Sequence, residues 1–467
     1  MVPDESEAYA RQLAAALPNA LFTPGDVRRF LAEPLPVPVL VDESHAVLLA
    51  AATGHFALQA RPQERAMPQL AAHIAFAHAY HLSGGSEEVW ASVADVLTGH
   101  VWRMLSALSC ALAYTDDRNR VDPSGTTQSL RRPDYCGWLN GVLAMKAEHK
   151  RKREKLKKAL EELTSKMKVW NPLVLRGLPF LPCYAVGGDL IQFAVITPDP
   201  GGRPQLHTVS DVLSMASAID RLRILALSFN MFRILVWLRS RMPDDVIPLY
   251  QAQTRADGGS ITVFDDCVVK RCVLVAPREV YDALASGTIP CAVRVTAFKP
   301  ATDRQPLARL KLQPVALEAK PRDETQLRRA VACVLRALHA LHALGFAHRD
   351  VRWPNVLRAD TAGTAWLLCD FELAGAVDEP LPGAWAIAPE RVAPEARAPG
   401  AAYAAADDVW QVGRLLLDAG LAQLSPAAAA FVAALQAPRA ERPVLALAAR
   451  GIHCRGPVEA IPQGSAP

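Results

Sequence analysis

In the stretch QLRRAVACVLRALHALHALGF, apolar residues recur at Val331, Leu335, Leu338, Leu341 and Leu344. Steps of three and four place them on one face of a helix, and Gly345 is the residue type that ends one. Upstream the period changes. ITVFDDCVVKRC (261–272) reads as an apolar strand delivering Lys270, REVYDALAS (278–286) as a short helix carrying Glu279, and CAVRVTAF and RLKLQPVAL as further strands. Downstream, LLCDFELAG is an apolar strand that delivers Asp370, and DDVWQVGRLLLDAG (407–420) is another amphipathic helix. Strands that precede helices in this way predict an α+β domain whose small sheet leads into a helical lobe.

The first half is patterned differently. Residues 1 to about 80 are Ala-rich short helices broken by Pro34, Pro36 and Pro38. From about 85 to 240 the order is helix, strand, strand, helix, strand, helix. Asn140-Gly141 between two apolar runs is a strong hairpin signal, and YAVGGDLIQFAVI (184–196) reads as a strand pair around Gly187-Gly188. Leu156, Leu160, Leu163, Met167 and Trp170 form a helical stripe. The most hydrophobic stretch, LRILALSFNMFRILVWLRSR (222–241), contains Arg223, Arg233, Arg239 and Arg241, so it is expected to be a packed amphipathic helix and not a membrane span. RMPDDVIP (241–248) reads as a linker. The expected division is therefore 1–82, an N-terminal helical region; 83–241, an α/β domain; 249–450, the α+β domain; and 451–467, a flexible tail.

Composition narrows the class. A chain of 467 residues with 51% hydrophobic and 21% charged residues is globular and too long for one core. The net charge of +4 is small but unevenly placed: the basic helix 150–168 offers a nucleic-acid contact or a nuclear-import signal, or simply a solvated face. Nine cysteines without a CxxC pair, and an acidic opening Met-Val-Pro-Asp-Glu-Ser-Glu, point to an intracellular protein of cytoplasm or nucleus, with a secreted effector as the alternative. His73, His78 and His81 are close in sequence but lack an acidic partner, so they are read as ordinary helix histidines.

The chemistry concentrates in FAHRDVRWPNVL (346–357). Asp350 and Asn355 offer oxygens five positions apart beside an apolar run, which suits a loop holding a metal-bound polyphosphate. Five signals follow in order: His348/Arg349/Asp350 with Asn355, Asp370/Phe371/Glu372, Ala388/Pro389/Glu390, Asp408/Trp410/Gly413 and Arg442. Their order and spacing resemble the catalytic lobe of the protein-kinase superfamily, in the compact form of fungal and oomycete effector kinases. The resemblance implies a bilobal kinase-like fold that uses ATP and Mg²⁺ on a protein substrate, with Ser or Thr hydroxyls as acceptors. It implies Asp350 as base, Arg352 near the γ-phosphate, and Asn355 and Asp370 as metal ligands. Lys270 would grip the α/β-phosphates with Glu279 as its helix-borne partner, Gly258-Gly259 would cover the phosphates, and Gln313 to Val315 would form the adenine hinge. His348, Arg349 and Phe371 would be structural, Glu390 and Arg442 a buried pair, and Asp408 the anchor of the catalytic loop.

This sequence departs from the kinase pattern in three places. It has no GxGxxG, Glu372 replaces the glycine of DFG, and no Ser, Thr or Tyr lies between Glu372 and Glu390. Arg349 is then expected to find Asp378 or Glu379 in place of a phosphate. A nucleotide-binding scaffold that transfers nothing is the alternative reading.

In the first half, Pro133-Asp134 and Glu148-His149-Lys150 flank the Asn140-Gly141 turn and are similar to the PD-(D/E)xK nuclease core. That resemblance implies a restriction-endonuclease-like fold in 83–241, with Asp134 and Glu148 on Mg²⁺, Lys150 orienting water, and Glu87 or Glu88 as a further ligand. A two-residue turn puts Asp134 opposite Ala147, so a one-residue bulge is required to face Glu148. Nuclease-like and kinase domains in one chain resemble Crinkler-type effectors. A metal-dependent nuclease with a regulatory kinase lobe is thus another alternative.

Overall fold

The computed structural model describes residues 5–17, 21, 23–42, 55–59, 86–118, 133–167, 169–175, 178–242, 249–255, 258–273, 276–303, 305–381, 388–421 and 423–443. His73, His78, His81 and the tail 451–467 lie outside the described residues. The chain divides into two units, Met1–Gln251 and Ala252–Pro467.

Unit 1 begins with α1 (Glu5–Ala15), α2 (Pro24–Ala32) and a parallel pair, β1 (Val39–Asp42) and β2 (Phe56–Gln59). Then follow α3 (Glu87–Leu97), α4 (Gly99–Ser109), β3 (Tyr114–Arg118), β4 (Tyr135–Leu139), β5 (Val142–Lys150) and α5 (Leu156–Ser165). The unit closes with the single turn α6 (Pro172–Leu175), β6 (Leu181–Gly187), β7 (Leu190–Pro198), β8 (Pro204–Thr208), β9 (Leu213–Ser214) and α7 (Ala218–Arg239). The main sheet runs β3-β4-β5-β6-β7-β8, with β9 paired to β7. Its one parallel junction, β5 to β6, needs a crossover, which α5 supplies while burying Leu156, Ala159 and Leu163.

The β4–β5 turn is built by Asn140 and Gly141, both left-handed at φ 47° and 81°. Pairing runs Tyr135↔Ala147 and Gly137↔Met145, then Trp138↔Leu143, so β5 carries one extra residue between these pairs. The required bulge is present.

Two expectations are corrected here. The described part of 1–82 is no separate region: Tyr9, Leu13, Val27, Phe30 and Leu31 are buried, and α1 and α2 pack on α7, with the Tyr9 and Phe229 rings 6.4 Å apart. Helices this short cannot bury an apolar face alone. The 222–241 helix is buried on nearly every side and not amphipathic, because its interior arginine is satisfied by protein groups. Arg233 donates to Ala16 O (2.7 Å) and Asn230 Oδ1 (2.8 Å) and lies over the Phe30 ring. Among the described residues no helix is long and apolar enough to cross a membrane.

Unit 2 opens with β10 (Ala252–Thr254), β11 (Ser260–Val263), β12 (Val268–Cys272), α8 (Arg278–Ser286), β13 (Arg294–Lys299) and β14 (Ala308–Gln313). The antiparallel sheet has the order β10-β11-β12-β14-β13. The stretch 261–272 is thus a hairpin and not one strand, turned at Phe264–Cys267 by a 2.8 Å backbone bond. The helical lobe follows: β15 (Leu317–Glu318), α9 (Glu324–Ala343), β16 (Phe346–Ala347), β17 (Val356–Arg358), β18 (Trp366–Leu368), β19 (Gly375–Ala376), α10 (Ala405–Leu417) and α11 (Pro426–Gln436). Val331, Leu335, Leu338 and Leu341 of α9 are fully buried against a core that includes Trp353, Trp366 and Val412, each worth roughly 2 kcal/mol before entropy is counted. Leu344, the last position of the stripe, is exposed.

Candidate functional site

Gly345, at φ +83°, turns the chain out of α9, and β16 then pairs with β19. The loop that follows is held through its backbone by α10. Asp408, fully buried, accepts from His348 N (2.7 Å), Arg349 N (2.9 Å), Tyr403 Oη (2.9 Å) and His342 Nε2 (2.8 Å). Burial pushes its carboxyl up, but the His342 bond and the nearby His348 outweigh this and hold it below the ordinary aspartate value. Gln411, which the sequence did not single out, accepts from Val351 N (2.8 Å) and donates to Arg349 O (3.0 Å). These contacts sustain the left-handed backbone of Arg349, φ +71°, a conformation costly for a side chain of its size.

The loop presents Asp350 and Asn355 together. Asn355 Nδ2 donates to Asp350 O and to Asp350 Oδ2, both at 2.8 Å, and Arg352 Nε donates to the same Oδ2 at 3.0 Å. Neither contact uses the Asn355 amide oxygen. Asn355 O in turn accepts from Cys369 N (2.9 Å), which brings the end of β18 and Asp370 alongside. His348 Nε2 meets Cys369 O at 3.0 Å, and its ring stands edge-on to Phe371, centroids 4.8 Å apart. Asp370, at φ +63°, projects to Lys270 Nζ on β12, 2.7 Å away. Lys270, Asp350, Asn355 and Asp370 therefore share one cleft. Burial raises the Asp370 carboxyl, but Lys270 and Arg255 hold it below the ordinary value.

The donor set fits Mg²⁺. That ion takes few protein ligands and completes its shell with phosphate oxygens and water, so one amide oxygen and one carboxylate suffice. Among the described residues there is no group of three His, Cys, Asp or Glu side chains that would hold a cation without such help.

The family model for the protein kinase domain matches residues 306–427, which include Asp350, Asn355, Asp370 and Asp408. The C-terminal unit contains a kinase-type domain. The chain is also 27% identical over 332 residues to Crinkler effector protein 8 of Phytophthora infestans, across 70% of this chain and 52% of that protein. It thus spans about half the length of the curated relative it matches.

Several residues of the kinase domain sit elsewhere than expected. Glu279 is exposed on α8 and does not meet Lys270. The lysine pairs instead with Asp370 and with Glu372 Oε1 (2.7 Å), whose carboxylate also meets Arg255 at 3.3 Å through both oxygens. Glu372 is buried at the third position of the Asp-Phe-Glu turn, where the resemblance expects glycine. The inward face of α8 carries Val280, Tyr281 and Leu284, one turn position out of register with the expected glutamate. Glu390 is exposed; Arg442 pairs with Glu395 (2.7 Å) and Asp407 (3.0 Å). The sequence contains Ala-Pro-Glu twice, at 388–390 and 393–395, and the fold pairs the second with Arg442.

Arg349 Nη2 donates to Ala376 O (2.7 Å) and Glu379 O (3.3 Å), with the Glu379 carboxylate 4.0 Å away. A Cβ at Gly375 would collide with that guanidinium, so this glycine makes room for it. Gly258, φ +77°, and Gly259 lie in the β10–β11 turn, where Arg255 N donates to Gly259 O. Gln313 ends β14, Gln313-Pro314 is cis, and Val315 is buried.

In unit 1 the bulge brings Asp134 to β5, where Asp134 Oδ2 accepts from His149 N at 2.8 Å. Glu148 is fully buried, contacts Lys166 through Oε2, and has no partner for Oε1. Burial and the nearby Asp134 push its carboxyl up to about 8. Lys150 pairs with Glu162 on α5 (2.8 Å), so part of the basic stretch faces an acidic cluster and not solvent. Glu87 and Glu88 are exposed at the start of α3 and take no part in it.

Proposed function

We propose that this protein is an ATP- and Mg²⁺-dependent protein kinase that transfers the γ-phosphoryl group to a Ser or Thr hydroxyl of a protein. The observation that carries the reading is the convergence of Lys270, Asp350, Asn355 and Asp370 in one cleft, linked by contacts of 2.7 to 2.9 Å. Asp350, oriented by Asn355 and Arg352, would accept the hydroxyl proton. The Asn355 amide oxygen and the Asp370 carboxylate would hold Mg²⁺, which neutralises charge on the transferred group; Lys270 would bind the phosphates. Arg352, bound to Asp350, would contact the γ-phosphate, as the kinase resemblance implies. Incubation with γ-labelled ATP, Mg²⁺ and a mixed Ser/Thr/Tyr protein acceptor tests the acceptor class. Label is expected on phosphoserine or phosphothreonine, and label on phosphotyrosine alone would contradict it.

A second reading concerns unit 1. The buried, orphaned Glu148 Oε1 beside Asp134 is an arrangement a divalent cation would relieve, as in metal-dependent nucleases. Helix, three strands, helix, then a parallel strand (α4, β3, β4, β5, α5, β6) supports the same reading. Mg²⁺-dependent cleavage of plasmid or RNA that disappears in Glu148→Ala is the expected result; cleavage equal in both proteins would remove it.

A further inference from the structure

The lysine of the cleft has two carboxylates and neither comes from α8. Lys270 Nζ is 2.7 Å from Asp370 Oδ1 and 2.7 Å from Glu372 Oε1. Glu372 also binds Arg255, whose Nη1 and Nη2 each lie 3.3 Å from a separate carboxylate oxygen. Arg255 stands at the end of β10, at the mouth of the turn that carries Gly258 and Gly259. Cys272, two residues after Lys270 on β12, directs its thiol to the same carboxylate. Where α8 faces this group it supplies Tyr281, whose buried hydroxyl has no hydrogen-bond partner.

We propose that Glu372 is the positioning residue of this cleft: it fixes Lys270 and Arg255 side by side as a two-cation clamp for the polyphosphate of a nucleotide, in place of a helix glutamate and a glycine-rich loop. The proposal rests on the nucleotide-dependent reading above. Its logic is one of competing partners. Asp370 would give its carboxylate to a cation when Mg²⁺ is bound, and a lysine held by Asp370 alone would obstruct that. A second carboxylate at equal distance lets Lys270 keep an ion pair when Asp370 turns to metal. Lys270 and Arg255 then stand side by side toward the phosphates, with Glu372 as the carboxylate they share. Arg255 approaches from the β10–β11 turn, so a guanidinium fork does there what backbone amides do in a glycine-rich turn. Because Glu372 sits on the same turn as Asp370, lysine placement is tied to the metal-binding segment and not to the position of α8.

The pairing also covers Lys270 Nζ with two carboxylates, so the reactivity of the amine gives a readout independent of transfer. Two measurements are made on the full chain: acylation of Lys270 by a small amine-reactive ester, followed by peptide mass, and binding of a fluorescent ATP across a Mg²⁺ titration. E372Q is expected to speed Lys270 acylation at pH 8 several-fold and to raise the Mg²⁺ concentration for half-maximal nucleotide binding about tenfold. E372D, which keeps the charge, restores both in part and guards against a folding defect in E372Q. Acylation and Mg²⁺ dependence equal to wild type in E372Q would overturn the proposal, as would the same shifts appearing in E279Q instead. If no phosphoryl transfer is detected, the acylation comparison still decides whether Glu372 holds the lysine.

Discussion

Asp408 shows how one side chain sets a loop. Two backbone N–H groups, a tyrosine hydroxyl and a histidine converge on its carboxylate inside the protein, so its charge is stabilised in the folded state only. Asp408→Asn turns one acceptor into a donor facing donors, and at pH 7 it is expected to cost about 3 kcal/mol of stability. The carboxyl is held below 3.8 when folded, so its contribution is present above that pH and is lost as pH falls through the folded value. The gap between wild type and Asp408→Asn in denaturant unfolding should therefore be widest at neutral pH and close in acid. A gap that stays constant down to pH 2 would contradict the assignment. At this scale the sequence was readable where a residue type is dictated by chemistry, as at Asp350, Asn355, Asp370 and Asp408. It was silent about Gln411, Arg255 and Gly375, whose roles depend on neighbours far away in the chain.

At the scale of elements, periodicity carried most of the information. The stripe of α9, the Asn140-Gly141 hairpin and the bulge demanded by the Asp134 register all follow from spacing, since a helix or strand exposes one face at a fixed interval. What spacing cannot decide is which of two equal local patterns the fold uses. REVYDALAS supplies a glutamate at the start of a short helix, but the buried face runs through Val280, Tyr281 and Leu284, so Glu279 points outward. Ala-Pro-Glu occurs twice within eight residues, and only packing against Arg442 selects Glu395. That choice has a measurable consequence. Arg442→Ala strands the fully buried Asp407 carboxylate with Arg439 as its remaining cation, and a loss of roughly 3 kcal/mol is expected. Glu395→Ala should move the same way by a smaller amount, because Glu395 is partly exposed. Glu390→Ala should stay within about 0.5 kcal/mol, as exposed side chains without partners do. Thermal or denaturant unfolding of the three variants checks the order; equal effects of the 390 and 395 substitutions would contradict it.

At the scale of the whole molecule, the division into two units falls close to the Pro/Asp-rich stretch of the sequence, and the described part of 1–82 groups with the first unit. Proline-broken helices looked autonomous because their local pattern ends, yet their apolar residues are completed by α4 and α7, elements a hundred or two hundred positions later. Unit 2 brings together residues 100 positions apart in one cleft, and the account of its chemistry depends on that convergence. The most direct test is phosphoryl transfer from ATP with Mg²⁺ by the full chain, wild type beside Asp350→Asn, with nucleotide binding measured in parallel. Transfer in the wild type, reduced about 10²- to 10⁴-fold in the variant while binding is retained, is the predicted result. Equal transfer by both proteins, or binding without any transfer by the wild type, would contradict it.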